Sequence, residues 1–402
     1  MMLQLYNELD HCQACGDSDL QTVFNLGHQP LANDYKLKGS VHTFYPLVLK
    51  SCRNCHHLQL GHAVNPKLLF AEYSYITGVN KPLLEFFYWF ANFTLGQFSE
   101  KPTRVLDIGC NDGSQLDFYK STHGLETVGI DPATNLAPIS GAKHRIICDF
   151  YRPGLIAEKF DLIIVQNAFA HNHNQYEMLR GIKENLTDQG FCFIVTSQAD
   201  MILNGEFDTV YHEHISFYNI NSMNELCKRV GVHLHDAFKH PTHGNSYIFK
   251  LSLNPAKSDR VSGLIKDERS ARQYDQATLD NFKYKAFDTV DKYKNYIYQQ
   301  RKANKKIIGF GAPAKCTVFL NLSHVYPDVV IDETTNKVNK LVPGTPVMIK
   351  DLSYLEEIEN IDQVVFVIYA WNYFDSIVKR LKELRKNSND KFVRYFPEFA
   401  VI

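Results

Sequence analysis

The sequence has no excess of charge of either sign. Its 402 residues include 43 basic and 44 acidic side chains, which give a formal net charge of −1. Proteins that coat nucleic acids or bind acidic membranes need an excess of lysine and arginine, so we expect neither a nucleic-acid nor a membrane partner. A composition of 45% hydrophobic and 22% charged residues is typical of a globular protein rather than a disordered one.

The sequence also has no targeting segment and no long apolar run. Its amino terminus has neither the basic region nor the apolar region of a signal peptide. The most apolar stretch near a membrane-spanning length, Pro82–Phe98, is interrupted by three polar residues, which favours a buried helix. We therefore expect a cytoplasmic protein that is a monomer or a small homo-oligomer.

The nine cysteines are odd in number and unevenly spread, which argues against a disulfide framework. Five of them occur singly and are expected to be reduced thiols. The other four form two C-x-x-C pairs, which predict a closed tetrahedral site for a structural zinc ion; these are Cys12, Cys15, Cys52 and Cys55. Two disulfides or a redox-active pair are the alternatives.

Apolar runs alternate with helix-length segments over most of the chain, which predicts an α/β fold with parallel sheets. The predicted strands are Arg104–Gly109, Thr127–Asp131, Arg145–Asp149, Asp161–Asn167, Gly190–Ser197, Lys306–Phe310, Asp328–Asp332 and Gln363–Tyr369. Apolar residues at Leu279, Phe282, Phe287, Val290, Tyr293 and Ile297 predict one long amphipathic helix in a charged linker. The predicted domains are 1–70, 71–257, a linker helix at 258–305, and 306–402.

The turn after the first of these strands carries the most information about function. It contains Asp107, Gly109, Asn111 and Gly113 and leads into a helix, so backbone amides can approach a ligand at the helix amino terminus. A pyrophosphate would be repelled by Asp107, whereas an ammonium group would be attracted. S-adenosylmethionine presents an ammonium group and no phosphate, so the turn favours this cofactor over a dinucleotide.

Polar groups follow the next three strands as well. Asp131 can accept hydrogen bonds from both ribose hydroxyls, although its spacing from the glycines also suits NAD. Asp149 can accept from the adenine amino group, Phe150 can cover the ring, and Asn167 ends the following strand. The order of these groups predicts a methyltransferase domain.

Several further motifs resemble those of the zinc-containing nucleotide-sugar C-methyltransferases, which act on carbon 3 of 4-keto-6-deoxy sugars. The resemblance covers essentially the whole chain and rests on the four cysteines and on the segments Tyr73-Ser-Tyr75, VLDIGxNDG, NxFAH ending at His171, YHEHxSFY at Tyr211–Tyr218, HGxS at His243–Ser246 and GxGAPAK at Gly309–Lys315. It implies a zinc-binding amino-terminal domain, a central S-adenosylmethionine-dependent methyltransferase domain and a carboxy-terminal Rossmann-like domain.

The resemblance also implies roles for individual residues. It places the catalytic base at His214, with Tyr211, Glu213, His171 and Tyr75 around the reacting sugar. A histidine suits this role, because its pKa of roughly 6.5 lies near working pH. If residues 211–214 are extended, His212 and His214 point to one side and Tyr211 and Glu213 to the other, but a turn would remove this constraint.

The implied contacts to the nucleotide-sugar are His243, Asn245 and Lys315. Here the chain departs from the family twice, because Asn245 and Cys316 replace glycines. Asparagine tolerates a positive φ, whereas a side chain at Cys316 could alter which nucleotide fits. Pro313 removes an amide where a pyrophosphate would need one, which argues against a complete NAD site.

Other functions remain open on the sequence alone. The chain could be a sugar O- or N-methyltransferase, a nicotinamide-dependent nucleotide-sugar oxidoreductase, or a zinc-stabilised binding protein without activity. His212, Glu213 and His214 could ligate a metal, although their spacing is not that of the H-E-x-x-H helix.

Overall fold

The structure is a computed structural model that describes residues 5–73, 75–197 and 200–402. Its strands are β1 (Tyr6–Glu8), β2 (Leu20–Pro30), β3 (Lys36–Leu37), β4 (Phe44–Cys52), β5 (Leu58–Leu60), β6 (His62–Val64), β7 (Arg104–Ile108), β8 (Glu126–Ile130), β9 (Arg145–Ile147), β10 (Phe160–Gln166), β11 (Leu186–Ser197), β12 (Ser216–Phe217), β13 (His233–His240), β14 (Ser246–Ser252), β15 (Lys306–Phe310), β16 (Val329–Ile331), β17 (Lys340–Leu341), β18 (Ile349–Lys350), β19 (Val364–Ile368), β20 (Lys391–Arg394) and β21 (Ala400–Val401).

The α-helices are α1 (Pro66–Phe70), α2 (Lys81–Leu95), α3 (Ser114–His123), α4 (Ala137–Gly141), α5 (Gln175–Asn185), α6 (Met201–Asn204), α7 (Ile220–Val230), α8 (Asp259–Ser270), α9 (Gln276–Lys302), α10 (Ala314–Ser323), α11 (Tyr354–Glu357) and α12 (Phe374–Arg385). Among the described residues, no helix combines the length and the apolar character that crossing a bilayer requires.

The chain forms two compact units, each assembled from separate segments. The first unit takes the residues up to Thr22, those from Leu49 to the end of β11, and Glu213–Tyr274. The second takes Val23–Val48, Asp200–His212 and Asp275–Ile402. The YHEH segment therefore changes unit between His212 and Glu213. The division of the sequence into domains at 70, 257 and 305 stays a prediction.

A seven-stranded sheet forms the centre of the first unit, in the order β13-β14-β11-β10-β7-β8-β9. The strands from β11 to β9 are parallel to one another. The strand β14 pairs antiparallel with β11, and β13 pairs antiparallel with β14, so β14 alone runs against the other six strands of this sheet. This arrangement confirms the α/β prediction. The strand β11 begins at Leu186 rather than at the predicted Gly190, because Leu186 already pairs with Phe160 of β10.

Apolar cores cover both faces of this sheet. Along β7, Leu106 and Ile108 lie in one buried cluster with Phe169, while Val105 lies in the other with Phe90 of α2. Alternate residues of a strand point to opposite faces, so a run of apolar residues is what a sheet covered on both sides requires. The carboxyl ends of the parallel strands are thereby fixed at one edge, where the polar residues of the candidate site follow.

The second unit contains a six-stranded sheet in the order β18-β16-β15-β19-β20-β21, parallel except for β21. A short antiparallel ribbon pairs β17 with β3. One apolar core of the second unit contains residues from β15, β16, β19 and α12. This is the predicted Rossmann-like arrangement.

The predicted linker helix at 258–305 is two helices, α8 and α9. A left-handed φ of 55° at Arg272 lies between them and is incompatible with a continuous helix. The amphipathic pattern over α9 is confirmed except at Phe287, which is 41% exposed, while its neighbour Ala286 is buried. The buried residues of α9 therefore follow the three- and four-residue steps of a helix, even where this places a small side chain rather than a large one in the core.

Candidate active site and metal centre

The four paired cysteines lie together as predicted. Their sulfur atoms are all within 4.8 Å of one another, with 3.5 Å between Cys12 and Cys55 and 3.6 Å between Cys15 and Cys52. Zinc–sulfur bonds of about 2.3 Å in a tetrahedron place the sulfur atoms about 3.8 Å apart, so the cluster fits zinc. With four thiolate ligands the site has no open position, and the ion stabilises the fold without taking part in the reaction.

The two cysteine turns have the same backbone shape. The amide of Gly16 donates to the carbonyl of Cys12 at 2.9 Å, and the amide of His56 donates to that of Cys52 at 2.9 Å. Both Gly16 and His56 have a positive φ, at 85° and 61°. Glycine at this position is the ordinary choice, and the histidine shows that the second turn is held by its surroundings.

The glycine loop between β7 and α3 has the conformation that its glycines predict. Gly109 and Gly113 both have a φ of 82°, which L-residues rarely adopt. A Cβ atom on Gly109 would lie 2.4 Å from Cβ of Ala168, and one on Gly113 would lie 3.0 Å from the His144 ring. The loop therefore passes close to the end of β10 before it reaches α3. Its amides at Gly109, Asn111 and Gly113 donate to Ile130, Asp131 and Cys110.

Asp107 and Asn167 each place a buried oxygen at this edge of the sheet. Asp107 is 2% exposed, and its Oδ1 has no hydrogen-bond partner within the described part of the chain; the same holds for Oδ1 of Asn167. Burial, and then the nearby Asp131, raise the pKa of Asp107. A buried acceptor without a partner is costly, and the ammonium group of S-adenosylmethionine would satisfy it. The donor set thus fits this cofactor.

Asp131 also accepts hydrogen bonds from backbone amides, which the sequence did not predict. Its Oδ2 accepts from the amide of Asn111 at 2.8 Å, and its Oδ1 accepts from the amide of Ala133 at 2.9 Å. Burial raises its pKa. Each carboxylate oxygen has two lone pairs, so both oxygens retain capacity for the ribose hydroxyls while they fix the loop.

Asp149 and Phe150 follow β9. Asp149 forms an ion pair of 2.8 Å with Arg152 and accepts from the amide of Phe150 at 2.7 Å. The hydrogen bond from Arg152 lowers the pKa of Asp149, so the carboxylate is ionised and able to accept from an adenine amino group. The ring of Phe150 is half-buried beside it.

His171 and His214 come together in the first unit. Their ring centroids are 5.0 Å apart, and the amide of Ile215 donates to the carbonyl of Ala170 at 3.0 Å, which ties the two segments. Burial lowers the pKa of His171 to about 4, so this ring is neutral near pH 7. The ring of Phe70 stacks on His171, with 5.8 Å between the ring centroids.

Glu213 is almost fully buried and accepts a hydrogen bond of 3.2 Å from the hydroxyl of Tyr73. The family resemblance includes both tyrosines and implies a role for Tyr75, which stays a prediction. The side chain of Tyr75 is 43% exposed, and its backbone carbonyl accepts from Nδ2 of Asn111 at 3.0 Å. Two tyrosines two residues apart were the available signal, and only the fold distinguishes their positions.

The segment from Tyr211 to His214 is a turn and not a strand, so the alternation considered for an extended segment does not apply. Within the second unit, His212 is 1% exposed and packs edge-on against Tyr45 at 5.8 Å, while Tyr211 is half-buried. A metal site at these histidines finds no support, because the only metal-ligand group of three or more His, Cys, Asp or Glu among the described residues is the four-cysteine cluster.

Lys315 of the second unit lies beside one polar and one aromatic side chain. Its Nζ is 3.0 Å from Oδ1 of Asn372 and lies 3.5 Å from the centroid of the Trp371 ring. Burial lowers its pKa, while the charges of Asp208 and Glu206 oppose this shift. The ammonium group is thus held in one place, as a phosphate contact would require.

The loop after β15 is held by hydrogen bonds to other residues of the second unit. The amide of Ala312 donates to Asp332 at 2.6 Å, and its carbonyl accepts from the hydroxyl of Tyr35 at 2.6 Å and from Lys337 at 3.0 Å. A Cβ atom on Gly309 would lie 2.7 Å from the Tyr369 ring. These contacts fix the conformation of the loop within the second unit.

Of the remaining predicted contacts, Asn245 has a φ of 100°, as its replacement of a glycine anticipates. Cys316 is fully buried in α10, so its side chain packs into the core of the second unit and not towards a ligand. The side chain of His243 lies outside what the structure describes.

Family models match three successive parts of the chain. A zinc binding domain matches residues 12–70, a methyltransferase domain matches residues 87–236, and a C-methyltransferase C-terminal domain matches residues 241–397. Together with the glycine loop and the cysteine cluster, these matches define a zinc-containing, S-adenosylmethionine-dependent methyltransferase. More particularly, the protein has the domain set of a C-methyltransferase.

A similar full-length protein is the C-methyltransferase NovU of Streptomyces niveus. It is 25% identical over 424 residues, which cover 100% of this chain and 99% of NovU. Among solved structures, the plantazolicin methyltransferase BpumL in complex with SAH is 15% identical, with a TM-score of 0.36 over 44% of this chain and 87% of that chain. A methyltransferase from Clostridium acetobutylicum is 11% identical, with a TM-score of 0.36 over 42% of this chain and 92% of that chain. Structural similarity at this level identifies neither substrate nor mechanism.

Proposed function

We propose that the protein transfers a methyl group from S-adenosylmethionine to a ring carbon, carbon 3, of a nucleotide-linked 4-keto-6-deoxy sugar in the cytoplasm. The observation that carries the proposal is the contact of the half-buried His171 with the buried His214, next to the buried Glu213, in the same unit as the glycine loop. The resemblance of its motifs to the nucleotide-sugar C-methyltransferases and the similarity to NovU support it.

Attack by carbon requires removal of a proton next to the ketone. His214 accepts the proton from carbon 3 and becomes an imidazolium, while the electron pair of the C–H bond forms the enolate. The cofactor supplies an electrophilic methyl group. The enolate carbon forms the new carbon–carbon bond as the carbon–sulfur bond breaks, S-adenosylhomocysteine leaves, and His214 releases its proton to solvent.

The enolate needs hydrogen-bond donors as its negative charge develops. His171 is neutral at working pH, because burial lowers its pKa to about 4, and it can donate one N–H without adding a permanent charge. Glu213, held by the hydroxyl of Tyr73, orients the groups around the base. Tyr75 and Tyr211 provide hydroxyls for the sugar.

Cofactor and nucleotide are assigned to different residues. Asp107 and Asn167 accept from the cofactor's amino-acid group, Asp131 binds its ribose, Asp149 and Phe150 bind its adenine, and the backbone of Gly109, Asn111 and Gly113 borders it. For the sugar nucleotide we assign the diphosphate to Lys315, with His243 and Asn245 as further contacts. The charge of Lys315 and its fixed position beside Asn372 support this role.

The test is a transfer assay with TDP-, UDP- and GDP-linked 4-keto sugars and methyl-labelled S-adenosylmethionine. We expect one sugar to gain a methyl group by mass spectrometry and its labelled carbon to resonate in the C–CH3 region of the NMR spectrum. A resonance of an O- or N-methyl group would contradict the carbon acceptor. Binding of NADH but not of S-adenosylhomocysteine, measured by calorimetry, would contradict the methyltransferase mechanism.

The His214→Asn variant tests the base. We expect loss of methyl transfer with little change in S-adenosylhomocysteine binding, since the side chain keeps its approximate size but no longer accepts a proton at working pH. The matched control is His28→Asn, which changes an exposed histidine of β2. Appreciable transfer by His214→Asn would refute the assignment.

A further inference from the structure

One segment connects the loops of the cofactor site with the histidine group. We call it the strap, and it consists of the described residues Ala71–Tyr73 and Tyr75–Val79, between α1 and α2. It contacts the loop after β7 and the loop after β8, both of which border the cofactor assigned above. All of its contacts described below lie within the first unit.

The first anchor is the Asn-Asp pair of the glycine loop. Oδ1 of Asp112 accepts from the hydroxyl of Thr77 at 2.6 Å, and Oδ2 accepts from the amide of Gly78 at 2.8 Å. Oδ1 of Asn111 accepts from the amide of Thr77 at 3.0 Å. A Cβ atom on Gly78 would lie 2.5 Å from Asp112 Oδ2, so the glycine permits this close approach.

The second anchor is Asn135 in the loop after β8. Its Oδ1 accepts from the amide of Tyr73 at 3.0 Å, and its Nδ2 donates to the carbonyl of the same residue at 2.9 Å. The amide of Thr134 donates to the carbonyl of Ala71 at 3.0 Å. The backbone of the strap is therefore fixed on both loops.

From this fixed backbone, the side chain of Tyr73 reaches Glu213 and donates to it at 3.2 Å. Glu213 precedes His214 directly. The strap is thus hydrogen-bonded to the loops after β7 and β8, and its Tyr73 is hydrogen-bonded to the residue beside the assigned base.

We infer that Asp112 is a positioning residue: it holds the strap so that Tyr73 and Tyr75 are placed for the sugar acceptor. Both of its carboxylate oxygens are used by the protein, for Thr77, Gly78 and the amide of Ser114 at 3.2 Å. Because two of these three donors belong to the strap, we assign its effect on the reaction to the strap. This inference rests on the function proposed above.

The Asp112→Asn variant separates these roles, because the side chain keeps its size but presents an NH2 group towards one of its donors. We expect the catalytic efficiency for the acceptor to fall at least about tenfold, as for loss of a hydrogen bond to a charged group, with an S-adenosylhomocysteine Kd within about threefold of wild type. Thr77→Val should cause a similar loss and Thr77→Ser should retain activity. Asp188→Asn, at an exposed position of β11, is the matched control.

Hydrogen–deuterium exchange tests the strap without any acceptor. In Asp112→Asn we expect faster exchange at the amides of residues 75–79 and unchanged exchange in β7. If no sugar is methylated by the wild type, the proposed function fails while this measurement still tests the anchor. Unchanged exchange in the strap, or a loss of S-adenosylhomocysteine affinity as large as the loss of catalytic efficiency, would overturn the inference.

Discussion

Replacing Gly109 by alanine perturbs the glycine loop at its tightest point. The new Cβ would lie 2.4 Å from Cβ of Ala168 on a backbone with a φ of 82°. The left-handed conformation costs about 1–2 kcal/mol for an L-residue, and forcing a methyl group into occupied space costs about 1–3 kcal/mol more. We therefore expect Gly109→Ala to lower the free energy of unfolding by about 2–5 kcal/mol.

Gly124→Ala is the control for the backbone part of this cost. Gly124 ends α3 with a φ of 70°, and a Cβ there would meet nothing within 4 Å. The change in the entropy of the unfolded chain is the same in both variants, so it cancels in the comparison. The difference between the two variants isolates the steric contact with Ala168.

Urea unfolding followed by circular dichroism measures these differences, and the double variant Gly109→Ala/Ala168→Gly identifies their source. Removal of the opposing Cβ should restore about 1–3 kcal/mol, which is the coupling expected for residues in direct contact. Equal losses in Gly109→Ala and Gly124→Ala, or no recovery in the double variant, would refute the explanation from loop geometry.

Three other outcomes are expected. Purified protein should contain about one zinc per chain by metal analysis, and Cys52→Ser should lose the zinc while Cys148→Ser, at an exposed cysteine, retains it; zinc retained by both would contradict the four-ligand site. Asp107→Asn should weaken S-adenosylhomocysteine binding by about 10- to 100-fold in calorimetry, and an unchanged Kd would exclude contact with the ammonium group. Burial lowers the pKa of His171 to about 4, so the unfolded state binds more protons than the folded state between that pH and about 6.5. The free energy of unfolding should therefore rise with pH across this window and stop rising from this cause above it. In His171→Asn the slope should decrease, and an unchanged slope would show that this histidine does not titrate differently on folding.

Local patterns predicted the elements but not the contacts between distant segments. The strands β7 and β15 follow directly from short apolar runs beside glycines. The role of Asp112 did not follow, because its partners Thr77 and Gly78 lie on a segment without a regular pattern and only the fold brings them together. The hydrogen bond from Tyr73 to Glu213 could not be predicted for the same reason.

In α9 the predicted buried row differs from the observed one at a single position. The predicted row contains Phe287, whereas the buried residue is Ala286, which keeps the three- and four-residue steps of the helical period. The positive φ of His56 could not be predicted either, since residue preference favours glycine at such a position. Packing around the second cysteine turn overrides this preference.

The loops after β7 and β15 are held by the same kind of hydrogen bond but differ in a residue of the strand that precedes them. In each, an aspartate at the end of the next strand accepts a loop amide, Asp131 from Asn111 and Asp332 from Ala312. The next-to-last residue of the strand is Asp107 in β7 but Gly309 in β15. At Gly309, Tyr369 and Val330 occupy the space that a side chain would need. A carboxylate could not be introduced at Gly309 by a single mutation without displacing an aromatic ring. The place that the Asp107 carboxylate takes in the first unit is thus filled by an aromatic ring and a valine side chain in the second.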